Sequence, residues 1–225
     1  MIFFWKPFRR FWETDRGLSA LLFFLIALIF LVPVSGLVDH FGRLVIDAVF
    51  TLLMFAGVTS ISKQRSATIV VGAIVFAALA IRWIGRLAPS PDTEVAIAVS
   101  GLASIVTLAI VVLAQVFRAG AVNRHRILGA IAVYLLLGLA WAEAYSAVAL
   151  VVPGAFNPVG SQLADPQRWL YYSFVTLTTV GYGDITPVGP LARSLAILEA
   201  LTGQLYPAIL LARLVALEVG SRADR

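Results

Sequence analysis

The chain has 225 residues, 60% hydrophobic and 13% charged, with a mean hydropathy of +0.94, a composition that excludes a soluble globular domain and describes an integral membrane protein. The absence of cysteine excludes structural disulfides, thiolate metal sites and thiol nucleophiles, and two histidines far apart in the sequence, His40 and His125, argue against an imidazole cluster. The net charge of +5 falls in short basic groups between apolar runs, which is the pattern of topology signals and not of a nucleic-acid partner.

Residues 1–16 interleave Phe and Trp with Lys6, Arg9, Arg10 and Arg16. Two readings stand for residues 1–17: an amphipathic segment lying in the cytoplasmic interface, or a basic flank that orients the first helix. The apolar run that follows is too long for a signal-peptide core and has no small-residue cleavage site after it. Apolar runs recur at 18–38, 44–62, 67–88, 94–117, 127–152 and 191–217. Each is near or above the roughly 20 residues that cross about 30 Å of hydrocarbon, so six transmembrane helices are expected. Lys63, Arg65, Arg118, Arg124 and Arg126, with Arg222 and Arg225 near the C-terminus, place both termini in the cytoplasm of a multi-pass protein of the plasma (cell inner) membrane.

The stretch 153–190 is too polar to span. Asp165 can cap a short helix whose first position is Pro166, a residue that tolerates the missing donor there. That helix, 166–178, reads as re-entrant. It leads into Thr178-Thr179-Val180-Gly181-Tyr182-Gly183-Asp184, which places glycines at alternate positions. Successive carbonyls can face one axis only if alternate residues leave the right-handed region, and Gly181 and Gly183 do so without steric cost. The last helix begins afresh after Gly189-Pro190.

Thr-Val-Gly-Tyr-Gly is the filter sequence of potassium channels, where four loops present carbonyl oxygens that replace the hydration shell of the ion. Over 127–217 the chain resembles the pore module of the tetrameric potassium-channel family, and the four preceding helices resemble the module that voltage-gated members carry. The resemblance implies an all-α integral membrane protein with six transmembrane helices, a re-entrant pore helix and a selectivity-filter loop, working as a cyclic homotetramer in contact with membrane lipid. It divides the chain into an interfacial segment (1–17), a four-helix sensor-like domain (18–118), a cytoplasmic linker (119–126), a pore domain (127–218, with outer helix 127–152, pore helix 166–178, filter 179–183 and inner helix 191–217) and a short cytoplasmic tail (219–225). No regulatory domain and no cofactor are expected, with K+ as the permeating ion.

Carried over residue by residue, the resemblance assigns the coordinating carbonyls to Thr179, Val180, Gly181 and Tyr182, ahead of Gly183, and an innermost site to the Thr179 hydroxyl. Thr178 and Asp184 flank the filter. Tyr171 and Tyr172 stand where many relatives have two tryptophans, forming an aromatic cuff in smaller form. Val175 stands where some relatives have a glutamate that pairs with the aspartate after the filter, so Asp184 needs another partner, with the Tyr171 hydroxyl or water at the outer mouth as candidates. Gly203 occupies the position of an inner-helix hinge and reads equally as a small residue for close packing. Pro207 should kink the helix, and Gln204, Pro207, Leu211 and Val215 would face the cavity or the inner gate.

The fourth helix departs from voltage-gated members. Residues 94–117 contain no basic residue, whereas moving one charge through 100 mV supplies only about 2.3 kcal/mol and several are needed. Steep voltage dependence is therefore not expected, and Arg82 and Arg86, four apart near Pro89, read as snorkelling side chains before residual sensing charges. Two acids, Glu143 and Glu199, lie inside apolar helices. Each is either a support of the filter, meeting Thr176, Thr178 or a backbone amide, or a neutral acid bonded between helices. The functional expectation is a passive potassium-selective channel. The alternatives are a non-conducting or modulatory subunit of another channel and a carrier-type uptake protein, which the single pore unit disfavours. No nucleophile-base pair, metal-ligand cluster or phosphate loop supports an enzyme.

Overall fold

The computed structural model describes residues 16–35, 39–60, 65–117, 124–157 and 165–223. They form, in chain order, α1 (Arg16–Ser35), α2 (Asp39–Ser60), α3 (Arg65–Leu87), α4 (Pro91–Val116), α5 (Arg124–Val151), β1 (Phe156–Asn157), α6 (Pro166–Leu177), β2 (Thr186–Pro187) and α7 (Pro190–Ala223). The first 15 residues, most of the expected linker and the last two residues lie outside the described residues.

Local chemistry sets the helix starts. The α4 N-terminus is a reciprocal cap in which the Ser90 amide donates to Thr93 Oγ1 (2.8 Å) and the Thr93 amide to Ser90 Oγ (3.2 Å). Pro91 follows at the first helical position, and Asp92 and Glu94 lie in the first turn, where the helix dipole favours negative charge. Among the described residues, four helices carry stretches long and apolar enough to cross a membrane, Thr68–Gly85, Pro91–Val116, Arg126–Val151 and Pro190–Arg213. Leu18–Pro33 and Leu44–Val58 are shorter apolar helices among the described residues. The protein is thus a mostly helical membrane protein. α7 runs unbroken through Gly203 and Pro207 to Ala223, so the expected bend does not interrupt the helix, and most of the expected tail is helical.

The chain divides into two compact units, Met1–Ala80 with Ala103–Leu136, and Ile81–Leu102 with Leu137–Arg225. In the first, α1 packs along α2, and Leu21, Leu25, Leu53, Met54, Ile105 and Leu108 form the fully buried apolar centre. Asp47 and Ser104 are buried polar residues of this unit. In the second, α6 packs on α7, and β1 pairs antiparallel with β2, Phe156 opposite Pro187 and Asn157 opposite Thr186. Ala155 carbonyl oxygen accepts from the Val188 and Gly189 amides at 2.8 and 3.1 Å. This small clasp, which the sequence did not suggest, ties the chain leaving α5 to the chain entering α7.

Candidate functional site: the turn after the re-entrant helix

α6 begins as its sequence dictates. Asp165 Oδ1 accepts from the Gln167 amide at 3.0 Å, and Pro166 follows at the first position. Its other end is completed by the turn itself. Helix C-termini leave carbonyl oxygens without intrahelical donors. Here the amides of Thr178, Thr179, Val180 and Gly181 donate back to Phe174, Thr176, Val175 and Val175, at 3.0, 2.9, 3.0 and 3.3 Å.

Because a trans peptide is planar, the carbonyl of one residue points opposite to the amide of the next. The Thr178, Thr179 and Val180 carbonyls are therefore directed away from α6. Farther along, Thr179, Gly181 and Gly183 have φ of 59°, 58° and 81°. This alternation of left-handed and ordinary residues is the backbone pattern that turns successive carbonyls to one side. A row of such oxygens can replace water around a cation.

A threonine at positive φ is strained by about 1–3 kcal/mol. The surroundings hold it there, since Gln204 Nε2 donates to Thr179 Oγ1 at 3.0 Å. Thr178 Oγ1 caps the helix end through Phe174 carbonyl oxygen at 2.6 Å. Tyr171 stacks on Tyr182 with ring planes 4° apart. The Tyr171 hydroxyl hydrogen-bonds Asp184, and this bond is the main cause that pushes its phenol above the ordinary value. Val180 and Tyr182 have exposed side chains.

Behind the turn, Tyr172 packs edge-on to Tyr145 and Phe156, and Phe156 also meets Trp169. The two adjacent tyrosines thus serve different places, Tyr171 at the turn and Tyr172 in the buried cluster. Glu199 is fully buried. It accepts from the Tyr145 hydroxyl at 2.5 Å, and its other oxygen lies 2.6 Å from Ser173 Oγ. The expected partners Thr176 and Thr178 are replaced by Ser173 and Tyr145. The signal for Ser173 was its place on the buried stripe Trp169, Ser173, Leu177 of α6, a hydroxyl at helical spacing on an apolar face.

Glu143 lies against Arg82 of α3. Its Oε1 lies 3.7 Å from Arg82 Nη1, with both side chains largely buried, and it approaches Gly101 on α4 so closely that a Cβ there would stand 3.0 Å from it. Arg82 is accordingly 7% exposed and does not snorkel, because a counter-charge inside the unit outweighs the reach to the interface. The Arg86 side chain lies outside the described residues. Arg82→Gln is expected to cost about 2 kcal/mol or more in detergent unfolding, and the double variant with Glu143→Gln to recover at least half of it, because an unpaired buried charge is worse than none.

On α7, Gly203 packs on the backbone of Leu177 at the end of α6, and Gln204 reaches Thr179. Pro207, Leu211 and Val215 are exposed farther along the helix.

Residues 130–218, which contain this site, match the family model described as "Ion channel". Protein LctB of Geobacillus stearothermophilus is 44% identical over 63 residues, covering 28% of this chain and 46% of that protein. LctB of Bacillus caldotenax is 37% identical over 87 residues, covering 36% and 64%. The inward rectifier potassium channel Kirbac3.1 of Paramagnetospirillum magnetotacticum is 36% identical over 80 residues, covering 34% and 24%. The chain therefore spans less than two thirds of the length of each of these curated relatives. No solved structure matches. Over residues 130–218 the chain is thus similar to ion channels.

Proposed function

We propose that this chain is the single-filter subunit of a potassium-selective channel, four copies of which surround one axis in the plasma membrane with both termini cytoplasmic. The observation that carries this reading is the alternation of positive φ at Thr179, Gly181 and Gly183 together with amides that turn back to α6. Thr179, Val180, Gly181 and Tyr182 then supply the carbonyls, and the Thr179 hydroxyl the innermost oxygen, for K+ stripped of water. Exposed Leu198, Leu201, Leu205 and Ile209 on α7 are the faces for neighbouring subunits and lipid. α4 has no basic residue, and Arg82 is neutralised by Glu143, so opening does not depend steeply on voltage through this helix.

The test is flux into liposomes holding only the purified protein, with sodium as competitor and the membrane potential stepped both ways. Potassium flux that excludes sodium, is blocked by barium and varies little with potential is expected. Equal sodium and potassium flux would sink the reading.

Gln204→Leu removes the donor to Thr179 Oγ1. With one hydrogen bond worth about 0.5–1.5 kcal/mol, barium block from the cytoplasmic side should weaken by about twofold to thirteenfold. Unchanged block would mean that Gln204 does not order the innermost site.

A further inference from the structure

Three elements of the second unit meet at Glu199 of α7. Tyr145 comes from α5 and Ser173 from α6. Ser173 Oγ makes a second close contact, 2.7 Å to the carbonyl oxygen of Gly138 on α5. A serine hydroxyl has one proton, and a backbone carbonyl oxygen has none. A contact of 2.7 Å between those oxygens requires the serine proton to lie between them. The 2.6 Å contact with Glu199 then needs a proton from the carboxyl. The Tyr145 hydroxyl supplies its own proton to the other carboxyl oxygen, which accepts as a carbonyl would. The groups facing Glu199 are hydroxyls and aromatic rings. Tyr145 and Tyr172 are the titratable ones, and among the described residues no cation is paired with it. An ionised carboxylate in this place would be fully desolvated against neutral donors alone.

We propose that Glu199 is a positioning residue that carries a proton in the folded channel, donating its O–H to Ser173 and accepting from Tyr145, so that one proton locks α5, α6 and α7 together behind the filter-like turn. The lock acts through α6, whose last carbonyls hold the turn in shape. Loss of the proton removes a donor and leaves a buried charge, so the lock loosens as pH rises and is untouched as pH falls.

The test is the infrared spectrum of the full chain in lipid at neutral pH, as the difference between wild type and Glu199→Gln. A carbonyl stretch of a protonated carboxyl, present in the wild type and lost in the variant, is expected. Ser173→Ala should shift that band, which keeps the inference testable if Glu199→Gln fails to fold. On raising the pH the band should give way to carboxylate bands in step with a loss of potassium flux, and that alkaline step should vanish in Glu199→Gln. A difference spectrum with carboxylate bands alone at neutral pH, or a band unmoved by Ser173→Ala, overturns the proposal. Only the flux arm rests on the channel reading. A protein that shows the band but conducts nothing would fail that reading and keep this inference.

Discussion

Gly203→Ala is expected to abolish ion flux and to lower the stability of the second unit by about 3 kcal/mol, the upper end of ordinary overpacking. A Cβ at this position would overlap the carbonyl oxygen of Leu177 and lie 2.8 Å from its carbonyl carbon and 3.2 Å from its Cα. These are backbone atoms at the end of α6, so no rotamer change relieves the clash. Either α7 withdraws or the helix end moves, and the helix end carries the turn. Thermal unfolding in detergent, beside liposome flux, separates the two readings of this glycine. If Gly203 served only as a hinge, alanine would leave the unfolding midpoint unchanged and alter opening alone. A shifted midpoint with flux lost assigns the glycine to close packing.

Gly181→Ala should act in the opposite manner, with a small effect on stability and a large one on selectivity. Among the described residues, and apart from its two chain neighbours, nothing lies within 4 Å of a Cβ at 181, so space is not the obstacle. The obstacle is φ of 58°, which costs an L-residue about 1–2 kcal/mol and is relieved by letting the peptide rotate. Rotation turns a neighbouring carbonyl out of the row. In the tetrameric potassium channel proposed above, four subunits would each gain by this relaxation, and the preference for potassium over sodium is expected to fall by at least tenfold, since even about 1.4 kcal/mol between the two ions is a factor of ten. The measurement is the reversal potential under opposed potassium and sodium gradients. A preference equal to that of wild type would show that the alternating backbone is not what selects the ion.

The contrast between these glycines shows what could be read from the residues in order. Runs of some twenty apolar residues mark membrane helices without reference to any contact, because hydrocarbon thickness sets the length. Asp165 before Pro166, and glycines at alternate positions of 179–183, are local signals in the same sense. Each answers a backbone need within a few residues of itself. The β1–β2 clasp left no such trace, because strands of two residues have no periodicity to detect.

Pairings across the chain needed the folded molecule. Glu199 was visible as an acid in an apolar helix, yet its partners lie 26 and 54 residues away, and although Ser173 sits on the apolar stripe of α6, nothing local ties it or Tyr145 to that acid. Arg82 had a local reading, snorkelling, that was reasonable for a basic residue near a helix end and wrong because Glu143 on α5 meets it first. Gly203 carried two readings, and only the folded molecule puts the Leu177 backbone beside it. A helix's length and ends follow from its own residues. Which residue neutralises a buried charge or leaves room for another backbone depends on how helices distant in sequence pack, and packing is a property of the whole chain.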